Sequence, residues 1–283
     1  MKANHLIIKC AALMALGFLS LSTTAQNLSG KATYQTSRKI DIQLDSSRMG
    51  AERYEAMMAM LRKQFEKTFI LTFTGDESVY EEKPKLKSDG PQHHGMEIVM
   101  IGDGGGDILY RDLAKGIFKR QTDMMGKIFL IEDSIPKADW VKHKESKQIG
   151  NYTCFKATRS YKEERRMISI ENGKEVEKVD SVQINIEAWY TPQIGVSQGP
   201  SMYSGLPGLI MEIHQNGATM LCTEVVLRTS GDIEIEAPDQ GKKVNQESFD
   251  QIMDKKLKAA RKQRGRPKKG DGDSHKFEIR IGG

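Results

Sequence analysis

The sequence predicts a mainly β fold of the α+β kind. It should hold a large curved antiparallel sheet or half-barrel, one long N-terminal amphipathic helix and a C-terminal helix. Three observations carry this expectation. Short apolar-alternating segments recur from residue 31 to residue 229, separated by polar or glycine-containing turns. No helical pattern intervenes between them past residue 68, which argues against parallel βαβ units. Apolar residues fall at helical spacing in only two places, 51–67 and 245–264.

The first 25 residues stand apart. Lys2 and Lys9 frame a basic start, an apolar run extends from Cys10 to Leu21, and Thr23-Thr24-Ala25 supplies small residues before Gln26. This is the pattern of a removed signal peptide, and the run is too short for a membrane anchor. Cys10 lies inside the apolar run and is badly placed for lipid attachment. No later segment approaches the ~20 apolar residues of a membrane helix. The expected product is exported, periplasmic or outer-membrane-associated, with residues 26–244 as a single β-rich domain and 245–283 as a helix and basic flexible tail.

Lys31 to Leu44 alternates as a strand, with Tyr34, Ile40, Ile42 and Leu44 apolar. Asp45-Ser46-Ser47 can cap the helix expected over 51–67, where Tyr54, Met57, Met58, Leu61 and Phe65 form one face. Core packing is the ordinary role of such a stripe; a pliable methionine lid over an apolar groove is the functional one. Strands follow from Phe69, then over Glu97–Ile101, Asp107–Asp112, Ile117–Thr122, Lys127–Ile131, Gly150–Ser160, Ser181–Thr191, Leu209–His214 and Ala218–Thr229. Residues 84–95 form a polar loop. Phe249, Ile252, Met253, Leu257 and Ala260 are spaced for the terminal helix.

Charge and cysteine content narrow the chemistry. The net charge of +5 conceals an asymmetry, since residues 255–270 carry nine Lys or Arg and no acid. Without them and the +2 leader, the body is acidic, near −6. Cys154 and Cys222 remain after the leader, and an oxidising compartment would permit a disulfide worth roughly 4 kcal/mol. Two buried thiols on neighbouring strands are the alternative.

Several motifs resemble chemical sites. Asp103 to Asp107 (DGGGD) lacks the six oxygen ligands of a calcium site and reads as a tight hairpin. His93-His94 has no further ligand at zinc spacing. No metal or cofactor is expected. Gly195-Val196-Ser197-Gln198-Gly199 fits a nucleophile elbow but is followed by Pro200, not by a helix. Glu212 and His214 share one strand face and could form a carboxylate–imidazole pair for acid–base work, although a hydrogen-bonded or solvent-facing pair is commoner. No catalytic residue is assigned. Arg264-Gly265-Arg266-Pro267 resembles an AT-hook. Export leads away from chromosomal DNA, so the tail is expected to meet anionic lipid, lipopolysaccharide phosphates or an acidic partner.

Three ordered segments carry a family resemblance: Asp139 to Arg159, Glu187 to Pro200, and Ser204 to His214. The last contains Gly205-Leu206-Pro207-Gly208-Leu209-Ile210. With Trp140, Gly150-x-Tyr152-x-Cys154 and Ala188-Trp189-Tyr190-Thr191, the chain resembles the GLPGLI family of exported Bacteroidota proteins. The resemblance implies a β-rich, signal-bearing protein and transfers no catalytic residue. It is also similar in arrangement to exported half-barrels that bind lipids or lipoproteins under a helical lid. Some members are encoded near TonB-dependent receptors, which implies envelope work.

The expected function is therefore a non-enzymatic envelope protein. It would bind a lipid, peptide or protein in an apolar groove lined by Met57, Met58, Leu61, Trp140, Trp189 and Tyr190. A receptor accessory or scaffold and a hydrolase with an unrecognised site are the alternatives. Within the hexapeptide, Leu206 to Leu209 fits a type II turn, after which Leu209, Met211 and Ile213 should share one strand face.

Overall fold

The computed structural model of the chain describes residues 28–38, 66–84, 106–171, 174–228 and 233–264, with isolated positions between 50 and 59. These residues form twelve strands and a C-terminal helix. The strands are β1 (Ser29–Arg38), β2 (Lys67–Phe73), β3 (Glu77–Glu82), β4 (Ile108–Asp112), β5 (Ile117–Met124), β6 (Lys127–Ser134) and β7 (Val141–Ile149). They continue with β8 (Tyr152–Glu171), β9 (Lys174–Thr191), β10 (Leu209–Gln215), β11 (Ala218–Arg228) and β12 (Lys242–Val244), before helix α1 (Gln246–Arg264). One open sheet holds them all, in the order β12-β6-β5-β4-β3-β2-β1-β11-β10-β9-β8-β7. Two antiparallel meanders, β1–β6 and β7–β11, join along the β1–β11 seam. Only β12 pairs in parallel, against β6.

This order forces the sheet to curl. In a flat sheet β6 and β7 would lie ten strand spacings apart, about 48 Å. The connection between Ser134 and Val141 spans about 25 Å at full extension. Sequence-adjacent strands at distant places in the sheet are therefore drawn together.

One buried cluster draws on nearly every strand, including Tyr34, Leu71, Phe73, Phe118, Ile131, Trp189, Leu209, Met211 and Cys222. α1 closes over its β5–β6 end. Asn245 caps the helix by accepting from the Ser248 backbone N–H at 2.9 Å, and the Phe249 ring meets Phe129 edge-on at 5.5 Å. The opposite face of β8–β10 carries a second cluster of Ala157, Ile184, Ile186, Ala188, Tyr190, Ile210 and Ile213, covered by Leu206 and Tyr203.

The segment between β9 and β10, residues 192–208, together with the start of β10, is tied down from three directions. Arg111 of β4 is completely buried and donates to the carbonyls of Gly199 (2.6 Å) and Tyr203 (2.8 Å) and to Ser78 Oγ (3.3 Å). The Tyr34 hydroxyl of β1 donates to the Ile210 carbonyl at 2.7 Å, and Trp140 Nε1 donates to the Ser204 carbonyl at 3.0 Å. Thus the first meander grips the turn region of the second. One residue departs from this pattern: Gln198 is fully buried with neither side-chain amide atom paired, an unfavourable feature the surroundings must offset.

The structure corrects several expectations. The helix over 51–67 is not seen at its expected length: positions 52, 53, 55–57 and 59 are helical, Lys67 already belongs to β2, and most of the segment, including Met58 and Leu61, lies outside the described residues. The end of the strand expected over 31–44, from residue 39, the strand expected over 97–101 and the tail beyond Arg264 lie outside them too. Leu206 to Leu209 is not a type II turn. The Gly208 N–H bonds the Leu206 carbonyl at 2.8 Å, a tighter turn centred on Pro207, while the Leu209 N–H goes to the Ile194 carbonyl at 3.0 Å. Gly208 has φ +153°, and a Cβ there would stand 2.2 Å from the Thr191 carbonyl oxygen. The close approach, not a type II geometry, demands glycine.

A register shift in β10 between Ile210 and Glu212 also undoes the simple alternation. Ile210 and Ile213 pack in one cluster, whereas Leu209 and Met211 pack in the other.

Two substitutions check this scheme. Gly208→Ala should prevent folding or lower thermal stability severely, read by circular-dichroism melting. Arg111→Leu should cost about 2–5 kcal/mol in urea unfolding, because two buried carbonyls lose their donors.

Candidate functional site

A polar constellation lies where strand register brings side chains of β7–β11 onto one face. Thr158 of β8 stands opposite Glu187 of β9, Glu187 opposite His214 of β10, and His214 opposite Thr219 of β11. The next rung carries Lys156, Trp189 and Glu212. Lys147 of β7 stands opposite Cys154, one strand further out.

The side chains form a connected set. Glu187 accepts from Trp189 Nε1 at 2.8 Å and pairs with Lys156 at 2.9 Å. Lys147 pairs with Glu212 and sits 4.4 Å from the Trp189 ring centroid, a cation–π contact. The other Glu212 oxygen meets His214 Nε2 at 2.5 Å, and His214 Nδ1 meets Thr219 Oγ1 at 3.1 Å. At the margin, His143 Nε2 and Thr158 Oγ1 are 2.7 Å apart. The β10 bulge makes this possible, since it returns Glu212 to the Trp189 rung.

Electrostatics follows the pairing. The hydrogen bond from Lys156, with a smaller one from Trp189, holds the Glu187 carboxyl below its ordinary range against the opposing effect of burial. The same Glu187 contact raises the Lys156 ammonium.

A groove of about 690 Å³ opens beside this face. Thr158, Ser160, Asn185, Glu187, His214 and Thr219 are among its lining, with Gln215 to Ala218 along one rim. Asn216 (φ 48°) and Gly217 (φ 73°) form that rim as the two-residue turn of the β10–β11 hairpin, the conformation an Asn-Gly pair favours. The groove lies where β8 and β9 leave the sheet. β7 ends its pairing at Thr158 and β10 ends at Ile186, while β8 and β9 continue together to Glu171 and Lys174.

Of the residues expected to line an apolar groove, Met58 and Leu61 lie outside the described residues, and the three aromatic ones do not share a face. Trp189 belongs to the first cluster and the polar face, whereas Tyr190 and Trp140 pack in the second cluster on the opposite face. Met57 is half-buried at an isolated described position. Gly205 to Ile210 form the end of the tied-down segment and the start of β10. Glu212 and His214 do meet, but among the described residues no hydrogen bond joins Ser197 to either; the Ser197 carbonyl accepts from the Gly205 N–H. His93-His94 and most of the DGGGD segment lie outside the described residues, among which no group of three metal-ligating side chains occurs.

Of the two alternatives for the cysteines, the disulfide is not seen: Cys154 and Cys222 are free, buried thiols within one cluster. They lie on β8 and β11, with β9 and β10 between them in the sheet. Burial pushes the Cys154 thiol up to about 11 and the Cys222 thiol to about 12. Sequence reasoning missed Lys147, Lys156, Glu187 and Thr219, although the alternation of β9 already set Glu187 and Trp189 on one side.

A family model described as a protein of unknown function (Porph_ging) matches residues 140–212, about a quarter of the chain, including the hexapeptide and most of the polar face. No curated protein matches the sequence. Two solved structures of PNGF-II, in space groups C2 and P21, are similar at 16% identity with a TM-score of 0.45. The similarity covers 81% of this chain and 33% of theirs, so the chain spans about a third of their length. At this level neither fold detail nor activity transfers.

Two measurements check the site. The lowered Glu187 pKa means stability present above its ordinary value and lost as pH falls through the folded-state value. Glu187→Gln should therefore lower the urea midpoint most at neutral pH and flatten its fall on the acid side of pH 5, where the variant and the native chain converge. Both native thiols should resist a thiol reagent at pH 8, and both should react once the protein is unfolded.

Proposed function

We propose that the chain is an exported envelope protein that binds a polypeptide partner by strand addition, at the groove beside the polar face and along the ribbon that leaves it. The supporting observation is the juxtaposition at the ribbon root. Beyond Ile186 the outer edge of β9 has no paired neighbour among the described residues, and the adjoining groove sets hydroxyl, amide and charged side chains beside Val141, Ile186 and Ala218. An open strand edge recognises extended backbone through N–H and C=O groups, and flanking side chains supply selectivity.

A polypeptide fits this chemistry better than a lipid, because Trp189 stands on one face while Trp140 and Tyr190 stand on the other. Export rests on the basic, apolar and small-residue order of residues 1–25. Among the described residues no helix is long and apolar enough to cross a membrane. The basic residues at the end of α1 and beyond suit an anionic envelope surface or an acidic partner.

A photo-crosslinking side chain at Ser160, in the groove, tests the reading in cells. Polypeptide adducts are expected there and should be lost when the probe is moved to exposed Met125, on the β5–β6 turn. Lipid adducts without polypeptide, or uptake of a fluorescent apolar probe by the purified protein, would overturn it.

A further inference from the structure

Beyond Arg159 and Ile186, β8 and β9 have only each other as partners among the described residues, through to Glu171 and Lys174. The ribbon is about 40 Å long. A two-stranded ribbon is marginal in water, and each free edge presents unpaired N–H and C=O groups. Natural free edges are commonly blunted by proline, a bulge or a run of lysines. The outer edge of β9 from Lys174 to Asn185 has no proline, its pairing with β8 is unbroken, and Val179 is 54% exposed.

We infer that this edge pairs with the same edge of a second copy of the chain, antiparallel about Val179. The inference rests on the reading of the open ribbon as a polypeptide-binding edge and names the occupant. A two-fold axis normal to a sheet must pass through a residue position, because directly opposed residues share a face. Centring on Val179 sets Lys178 opposite Asp180 of the second copy, and Asp180 opposite its Lys178. Val176 then falls at the register position of Val182, Glu177 at that of Ser181, and Glu175 at that of Gln183.

No like charges oppose one another in this register. Every other centre from Glu175 to Asp180 opposes at least one pair of identical charges. On the β8 edge, every centre from Glu163 to Met167 does so too: identical residues face each other at the first four, and Glu163 faces Glu171 at the last.

The length of the ribbon selects the same centre. About Val179, Lys174 of the second copy stands opposite Ile184, leaving Asn185 free before Ile186, which Gln215 already occupies. A centre one residue nearer the root would place Lys174 of the second copy opposite Ile186, in collision with β10. Thus Val179 gives the longest self-pairing that the sheet permits. It also brings the end of the second ribbon against Asn185 and Asn216 at the groove rim.

Sedimentation of the purified chain, with its leader removed, tests this. A dimer is expected. Lys178→Glu and Asp180→Lys should each weaken it at least tenfold, and the double exchange should restore it. Val179→Cys should give a covalent dimer on mild oxidation, since residues facing each other across antiparallel strands lie within disulfide reach. Cys154 and Cys222 are buried and should not contribute. A monomer at 100 μM, on the order of a weak protein affinity, would overturn the inference, as would a dimer indifferent to both single exchanges. Unchanged thermal melting of the variants separates loss of pairing from misfolding. If the chain is monomeric while the Ser160 crosslinker still captures polypeptide, self-pairing fails and the broader binding reading stands; if neither occurs, both fall.

Discussion

The buried guanidinium of Arg111 is the constraint on which the arrangement of the two meanders depends. It comes from β4 and reaches carbonyls of the segment between β9 and β10. None of the groups it bonds is a carboxylate. Its partners are two backbone carbonyls and a serine hydroxyl, and burial lowers its pKa to about 10, still charged at neutral pH. A buried cation is tolerable only when its donors are met. The segment 192–208 must therefore aim the Gly199 and Tyr203 carbonyls inward, and its unusual backbone follows. Gly199 has no room for a Cβ, which would lie 2.8 Å from the Tyr203 carbonyl oxygen, and Gly208 passes closer still to Thr191. The hexapeptide is one end of this clasp, and its own Leu206 is buried.

Much of the sheet was legible because its strands follow period-two alternation. Phe118 and Phe129, for example, stand on strands whose extents were read closely. Three kinds of element were not. β7 is lysine-rich and exposed, so it lacks an apolar face to read. The outer part of β8 and β9 is dense in charged residues, which hide any apolar alternation. β12 is three residues long and exists because the chain returns along β6. Arg111 sat unnoticed in a short strand, since nothing local marks a cation for burial.

The candidate site shows how one inserted residue redirects chemistry. Strict alternation correctly put Glu212 beside His214 but grouped Ile213 with Leu209 and Met211. The β10 bulge separates them, so that Glu212 joins Trp189 and Lys147 while Ile213 turns to the second cluster. The tryptophans were expected to line one groove, yet Trp140 bonds the Ser204 carbonyl on one side and Trp189 bonds Glu187 on the other. Such a division cannot be read from spacing, because it depends on which strands become neighbours after the sheet curls.

The β1–β11 seam has a consequence for how the chain must be made. Ser29 pairs with Arg228 and Arg38 with Ala218, so the central seam awaits nearly the whole domain. The first meander can assemble from local hairpins as it emerges, but the second edge of β1 then stays open until the last strands arrive. Such non-local pairing slows folding and leaves an aggregation-prone edge exposed on the way. Vectorial synthesis thus gives this fold a vulnerable interval, and a holdase that shields extended backbone would act most usefully during it.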